Sequence, residues 1–419
     1  MYTKGAKIGT MFEQARLEQS VTLKSIEEAR ARIRDRVLLT PVSRSEKLSQ
    51  RTGKNVWLKF ENQQRTGSFK ERGACNRLLL LSPEERSRGV VCASAGNHAQ
   101  GVAYHATKLG IDSTIVMPEM TPLNKVERTK GYGGRVVLYG ASVEDSLAEA
   151  RRIEQTESRT FVHPFDDDAV ISGQGTIGLE FLERVPSLDT LLIAIGGGGL
   201  ASGIGIAARA LNPKIRLIGV ETKALPSMKV AIQERAIVTL PPARTLAEGI
   251  AVRRAGKKTF AILRELLDDL LLVDDEEIAE AILFLLEEEK TVVEGAGAAA
   301  IAALLRSPLP RETSNVGIVL CGGNIDVHLM SRILERGLVK SGRTVRIVVR
   351  LPDIAGSLAT LADTVAKASA NVLDIRHDRA FGQAGLSEVT VELVLETKGF
   401  DHIEELHHKL RERGYLIVE

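Results

Sequence analysis

Along most of its length the chain alternates short runs of strand-forming apolar residues with longer stretches whose apolar positions recur every three or four residues. The first pattern predicts buried strands and the second amphipathic helices. Their alternation predicts an α/β fold of mostly parallel sheets with flanking helices. Ile26, Ala29 and Ile33 put a helix over residues 22–36, which Thr40-Pro41 stops. Residues 56–61 read as a strand and 72–81 as a helix. Further strands are expected over 90–93, 114–117 and 135–139, with helices over 98–109, 123–130 and 143–157 between and after them. A second series places strands at 190–195, 215–220, 270–273 and 316–320, with helices at 278–288 and 294–305. After a polar junction at 337–343 the pattern changes to strand, helix, two strands, helix, strand.

These patterns divide the chain into an N-terminal extension (1–20), a large unit (21–336) with a smaller subdomain inserted at about 60–160, and a C-terminal unit (343–419). The length of 419 residues agrees with more than one domain. A net charge of +2, from 56 basic and 54 acidic residues, gives no electrostatic footprint for nucleic acid or an anionic membrane, so a small molecule is the expected partner. Three cysteines, Cys75, Cys92 and Cys321, are too few and too dispersed for a disulfide framework or a zinc pattern. No apolar run approaches the roughly 18 residues of a membrane span. The expected location is the cytoplasm.

Candidate chemistry gathers at the carboxyl ends of the predicted strands, where α/β sheets bind ligands. Thr66-Gly67-Ser68 reads as a strand-to-helix turn with Ser68 as N-cap, which puts Lys70 in the first turn of a helix. An ammonium is disfavoured at that positive end of the macrodipole, and burial would lower its pKa further, leaving a neutral amine able to form a Schiff base; the alternative is a solvated surface lysine, the usual fate of that residue. Gly196 to Gly199 follow an apolar strand and precede a helix at Leu200, an arrangement that serves as a tight connection or wraps a phosphate, a nucleotide's included, in backbone N–H groups. Ser94-Ala95-Gly96-Asn97-His98 opens another helix after a strand and forms a second anion site. His98 reads best as a hydrogen-bonded residue of the helix start. Cys321 ends the last strand of the large unit, where packing explains a thiol as readily as chemistry does.

Ser68-Phe69-Lys70-Glu71-Arg72-Gly73-Ala74, Ser94 to His98, Gly196 to Leu200 and Cys321-Gly322-Gly323-Asn324 occur in the order found in pyridoxal-phosphate enzymes of the tryptophan-synthase-β type, fold type II, and this chain resembles most the threonine and serine dehydratases among them. The resemblance implies a two-subdomain catalytic region with pyridoxal 5'-phosphate held on Lys70 and between Phe69 and Gly249. It also implies that Gly196, Gly197, Gly198, Gly199 and Leu200 cup the phosphate, Asn97 meets the phenolic oxygen and Cys321 faces the pyridine nitrogen. Ser94, Ala95, Gly96, Asn97 and His98 hold the substrate carboxylate. Lys70 is then the catalytic base for conversion of L-threonine to 2-oxobutanoate and ammonia, with L-serine as a further substrate. Racemase-like relatives carry a serine where Ala95 stands, so elimination is expected over epimerisation. Glu221 matches a metal ligand of some relatives, but Leu225 and Ser227 stand where further ligands would be, so no metal is expected. For Glu294 to Ala298, close helix packing is as good a reading as substrate contact.

The C-terminal pattern, with Leu351 to Leu358 as its first turn, resembles the ACT domain, a βαββαβ ferredoxin-like module that binds amino acids at subunit interfaces. That resemblance marks Asp353, Gly356, Ser357, Leu358 and Asn371 as a regulatory site for isoleucine or valine, and a homotetramer as the assembly. The rival readings are a serine dehydratase, an amino-acid racemase and, in another class, an amino-acid sensor without turnover.

Overall fold

The computed structural model describes residues 21–379 and 385–418. Residues 1–20, expected as an extension, lie outside them. The chain divides into two compact units at Ile325/Asp326.

The first unit holds two sheets. The larger has six strands in the order β1-β2-β10-β7-β8-β9, comprising β1 (Val42–Ser45), β2 (Asn55–Lys59), β7 (Thr190–Ala194), β8 (Arg216–Thr222), β9 (Asp269–Val273) and β10 (Asn315–Val319). Only β1 is antiparallel to its neighbour. The smaller is a parallel sheet in the order β5-β4-β3-β6, from β3 (Val90–Ala93), β4 (Ser113–Met117), β5 (Arg135–Leu138) and β6 (Thr160–Phe161). Their central strands are buried along their whole length, as β3, β4 and β7 show, which is why they read as continuous apolar runs.

Three helices join the sheets behind Lys70: Lys70–Leu79, Asp168–Arg184 and Gly199–Leu211. Gly175 and Gly203 face each other so closely that a Cβ on Gly203 would lie 2.5 Å from the Gly175 nitrogen. Beneath the first helix lies a buried group of four charges. Arg72 grips Glu61 through two 2.8 Å bonds and Glu180 through bonds of 2.6 and 2.8 Å, while Lys59 donates to Glu180 at 2.6 Å. Lys59, Glu61 and Arg72 have no exposed surface, so their charges are stable there only as a balanced set.

The second unit begins with the helix Val327–Lys340, which runs through Gly337 and into the stretch expected as a polar junction. It continues through β11 (Thr344–Pro352), helix Ser357–Lys367, β12 (Asn371–Asp378), β13 (Glu388–Glu396), helix Phe400–Glu412 and β14 (Leu416–Ile417). The sheet order is β12-β13-β11-β14 with every pairing antiparallel, a βαββαβ arrangement. Ile347, Val349, Val391, Leu393 and Leu406 fill its core. The edge strand β12 is exposed on both faces through residue 377, including Val372, Leu373 and Ile375.

Candidate active site

The turn that carries Lys70 is stapled to the end of β10. Phe69 N–H donates to the Cys321 carbonyl at 3.0 Å, Gly323 N–H to the Gly67 carbonyl at 2.9 Å, and Ser68 bridges Gly322. This pairing overrides the expected cap: Phe69 stands at the N-cap position in helical conformation, and the buried Ser68 hydroxyl has no hydrogen-bond partner among the described residues. Lys70 is still the first helical residue. Its Nζ donates to the Pro164 carbonyl at 2.8 Å and lies 5.2 Å from the centre of the Phe69 ring. Burial brings the amine down to about 8, with Cys321 and Glu294 acting weakly in the opposite sense. The Cys321 thiol is pushed up by its own burial and stays protonated at neutral pH.

The segment after Pro164 reaches the glycine turn. A Cβ on Gly197 would overlap the Phe165 ring, and one on Gly199 would lie 2.9 Å from the Phe165 carbonyl oxygen. Gly198, at φ 95°, turns the chain in the left-handed region that favours glycine. The first hydrogen bond back into the helix comes from Ser202 N–H to the Gly198 carbonyl, at 2.9 Å. The N–H groups of Gly199, Leu200 and Ala201 precede it, at the positive end of the helix. Thr259 Oγ1 steadies the turn by donating to the Gly197 carbonyl at 2.6 Å, and Asp166 accepts from the N–H groups of Lys257, Lys258 and Thr259. A cradle without side chains, an amine of lowered pKa and a protonated thiol together fit pyridoxal phosphate.

Ser94 to His98 link β3 to the helix Asn97–Lys108. Ser94 Oγ accepts from Gly96 N–H at 3.2 Å, and Asn97 Nδ2 donates to Glu294 at 2.7 Å. Gly249 lies against the same carboxylate, a Cβ there falling 3.3 Å from it, and Gly322 packs directly on it. Asn97, Gly249, Glu294 and the segment after Cys321 therefore form one wall. His98 Nε2 donates to the Val162 carbonyl at 2.9 Å, and burial, then Lys70, hold the ring down at about 3, so it is neutral. Ala95 contributes no titratable group.

Glu221 is committed elsewhere. Its two oxygens accept from Met228 and Lys229 N–H at 2.8 and 2.9 Å, capping the helix Ser227–Glu234. Burial raises this carboxyl to about 7. In the second unit Gly356 has φ 92° and caps the helix Ser357–Lys367, with open space beside its Cα. Asp353 is paired with Arg379 through bonds of 2.9 to 3.2 Å, Leu358 is 38% exposed, and Asn371 at the start of β12 reaches Glu396 at 3.3 Å.

Sequence reasoning gave no site role to Pro164, Phe165, Asp166 or Asn324, and weighed Glu294 as close packing or a substrate contact. No motif marks the first three, because their contacts are with the Lys70 helix and the glycine turn.

A family model described as pyridoxal-phosphate dependent enzyme matches residues 33–322, and the chain belongs to that family. It is 47% identical over 392 residues to the L-threonine ammonia-lyase of Geobacter sulfurreducens, covering 94% of this chain and 98% of that protein. Among solved structures it resembles processed threonine deaminase isoform 2 from Solanum lycopersicum, with TM-score 0.71, 36% identity, and 74% of this chain and 87% of that one covered. It also resembles maize serine racemase, with TM-score 0.72, 38% identity, and 76% and 98% covered.

Proposed function

We propose that this protein is a pyridoxal-phosphate-dependent L-threonine ammonia-lyase that releases 2-oxobutanoate and ammonia and also acts on L-serine. The observation that carries the reading is Lys70, with its amine lowered to about 8, set between the glycine turn and Cys321. The near full-length match to a threonine ammonia-lyase supports the substrate.

The cofactor, when bound, supplies an electron sink conjugated to the substrate α-carbon. In this reading Lys70 would hold it, Gly196 to Gly199 and Leu200 would bind its phosphate, Phe69 and Gly249 would line its site, and Asn97 would contact its phenolic oxygen. Cys321 would stand at the ring nitrogen. A protonated thiol cannot hold that nitrogen as a cation in the way a carboxylate does, which favours prompt loss of the β-substituent over transamination. Ser94 to His98 receive the substrate carboxylate. The freed Lys70 amine takes the α-proton, the β-hydroxyl leaves as water on gaining a proton, and the released unsaturated amine hydrolyses to keto acid and ammonia.

The C-terminal unit serves as an amino-acid-binding module. Asp353, Gly356, Ser357, Leu358 and Asn371 form its site for isoleucine or valine, and the open strand β12 makes a self-pairing surface in a homotetramer. Steady-state assays of threonine and serine, with and without isoleucine and valine, test the whole reading. Keto acid formation with threonine preferred is the expected result. A protein that binds the cofactor but produces no keto acid from either substrate is instead a sensor.

A further inference from the structure

Four side chains form a hydrogen-bonded row through the candidate site. Arg128 Nη1 donates to Asn324 Oδ1 at 3.0 Å, Asn324 Nδ2 to Asn97 Oδ1 at 2.8 Å, and Asn97 Nδ2 to Glu294 at 2.7 Å. Asn324 Nδ2 uses its other hydrogen on the Thr66 carbonyl, at 2.7 Å, in the turn before Lys70. An amide can usually be turned over without changing its shape, but here chemistry leaves one choice. A guanidinium only donates and a carboxylate only accepts, so both amides must point their oxygens toward Arg128 and their nitrogens toward Glu294. The row is a polarised chain with a cation at one end and an anion at the other, and its members strengthen one another. The second Nδ2 hydrogen of Asn97 has no acceptor among the described residues. Arg128 and Asn97 belong to the helices Leu123–Gly131 and Asn97–Lys108, packed on the smaller sheet, while Asn324 follows β10 and Glu294 stands directly before the helix Gly295–Arg306. Each link therefore joins elements on opposite sides of the site.

We propose that Glu294 is a positioning residue whose ionised carboxylate holds the accepting end of the Arg128–Asn324–Asn97 chain, and with it the free amide N–H that Asn97 offers to pyridoxal phosphate. The proposal rests on the cofactor reading above. A protonated Glu294 carries its O–H on one oxygen and can still turn its carbonyl oxygen to Asn97, but that neutral acceptor holds the amide more weakly than the carboxylate does. The groups facing the carboxylate are Lys125, Glu248 on the 248–250 turn, Lys70 and the Cys321 thiol. Burial outweighs the Asn97 hydrogen bond and the two lysines and lifts Glu294 to about 7, so the hold on Asn97 weakens as pH falls through neutrality.

The test is equilibrium binding of pyridoxal 5'-phosphate to the apoprotein, read by visible absorbance between pH 6 and 8. Wild type is expected to lose up to about tenfold in affinity from pH 8 to pH 6, the span of one proton with a midpoint near 7. Glu294→Gln keeps a neutral acceptor for Asn97, as the protonated acid does, and cannot titrate. It should bind at pH 8 about as weakly as wild type does at pH 6 and lack the added loss at acid pH. Lys70 and the cofactor's own groups titrate in both proteins, so the difference between the curves isolates Glu294. Asn324→Asp retains a partner for Arg128 but cannot donate onward, and should bind at least tenfold more weakly at pH 8 with its thermal midpoint little changed. Curves for wild type and Glu294→Gln of the same shape overturn the proposal, and so does wild-type affinity in Asn324→Asp, which decides the matter alone if the glutamine variant does not fold. A wild type that binds no cofactor at any pH would instead remove the cofactor reading.

Discussion

The amine of Lys70 donates a 2.8 Å hydrogen bond to the carbonyl of Pro164, the residue directly before the ring that packs on Gly197. One short segment thus touches the reactive amine and the turn that fits a phosphate, so displacement of either is felt by the other.

Lys70→Ala is expected to abolish turnover and the visible absorbance of lysine-bound cofactor together, because anchor and base are one residue. Keto acid formation and the absorbance spectrum check this. Activity above a trace in the purified variant contradicts the assignment.

The apoprotein should take up pyridoxal phosphate faster as pH rises through about 8 and level off above it, since the neutral amine is the reactive form and burial lowers its pKa to that value. Stopped-flow absorbance from pH 6.5 to 10 reads the curve. A rate still climbing in proportion to hydroxide at pH 9.5 would place the amine at its ordinary value.

Gly197→Ala forces a methyl into the Phe165 ring, an overpacking that typically costs about 1–3 kcal/mol. Cofactor affinity should fall by roughly 5- to 150-fold if that cost bears on the bound state. Equilibrium dialysis measures it, and Gly197→Ala with Phe165→Ala should recover part of the loss. No loss in the single variant means that the turn does not hold the phosphate.

Elimination should outrun epimerisation, because Ala95 offers no acid to the α-carbon. Chiral chromatography after incubation with L-serine or L-threonine distinguishes the two. D-Serine or an epimerised threonine formed as fast as keto acid would refute this.

Isoleucine or valine bound to the C-terminal unit should change threonine affinity by roughly 5- to 150-fold, the range of a coupling of about 1–3 kcal/mol. Truncation near Ser341 should leave an active, unresponsive enzyme. Gly356→Val should do the same with assembly intact, since φ 92° strains a β-branched residue. Calorimetry at millimolar effector and light scattering, with a tetramer expected, check this. A truncated form that still responds moves the site elsewhere.

The sequence made the buried strands legible because β3, β4 and β7 are buried from end to end and mostly apolar, and the glycine turn legible because Gly196 to Gly199 sit between strand and helix. The helix Asp168–Arg184 had no such signature. It is buried on most sides, and its Ser172-Gly173-Gln174-Gly175-Thr176 stretch packs through small and polar residues, so no 3.6-residue stripe appears. Ser68 was read as a cap from local preference, whereas the partner that decides the turn, Gly322, is brought in by β10. Glu294 stayed hidden for a similar reason: its meaning depends on Asn97, 197 positions away.

The four buried charges around Arg72 carry a consequence for descent. Lys59 and Glu61 at the end of β2, Arg72 in the helix Lys70–Leu79 and Glu180 in the helix Asp168–Arg184 balance one another in a space that solvent barely reaches. A substitution at one strands a charge, at a typical cost of about 3–5 kcal/mol, a large share of a domain's whole stability. Single steps away from this set are therefore closed to a drifting lineage, and the four positions should pass between relatives as one character, kept together or exchanged together.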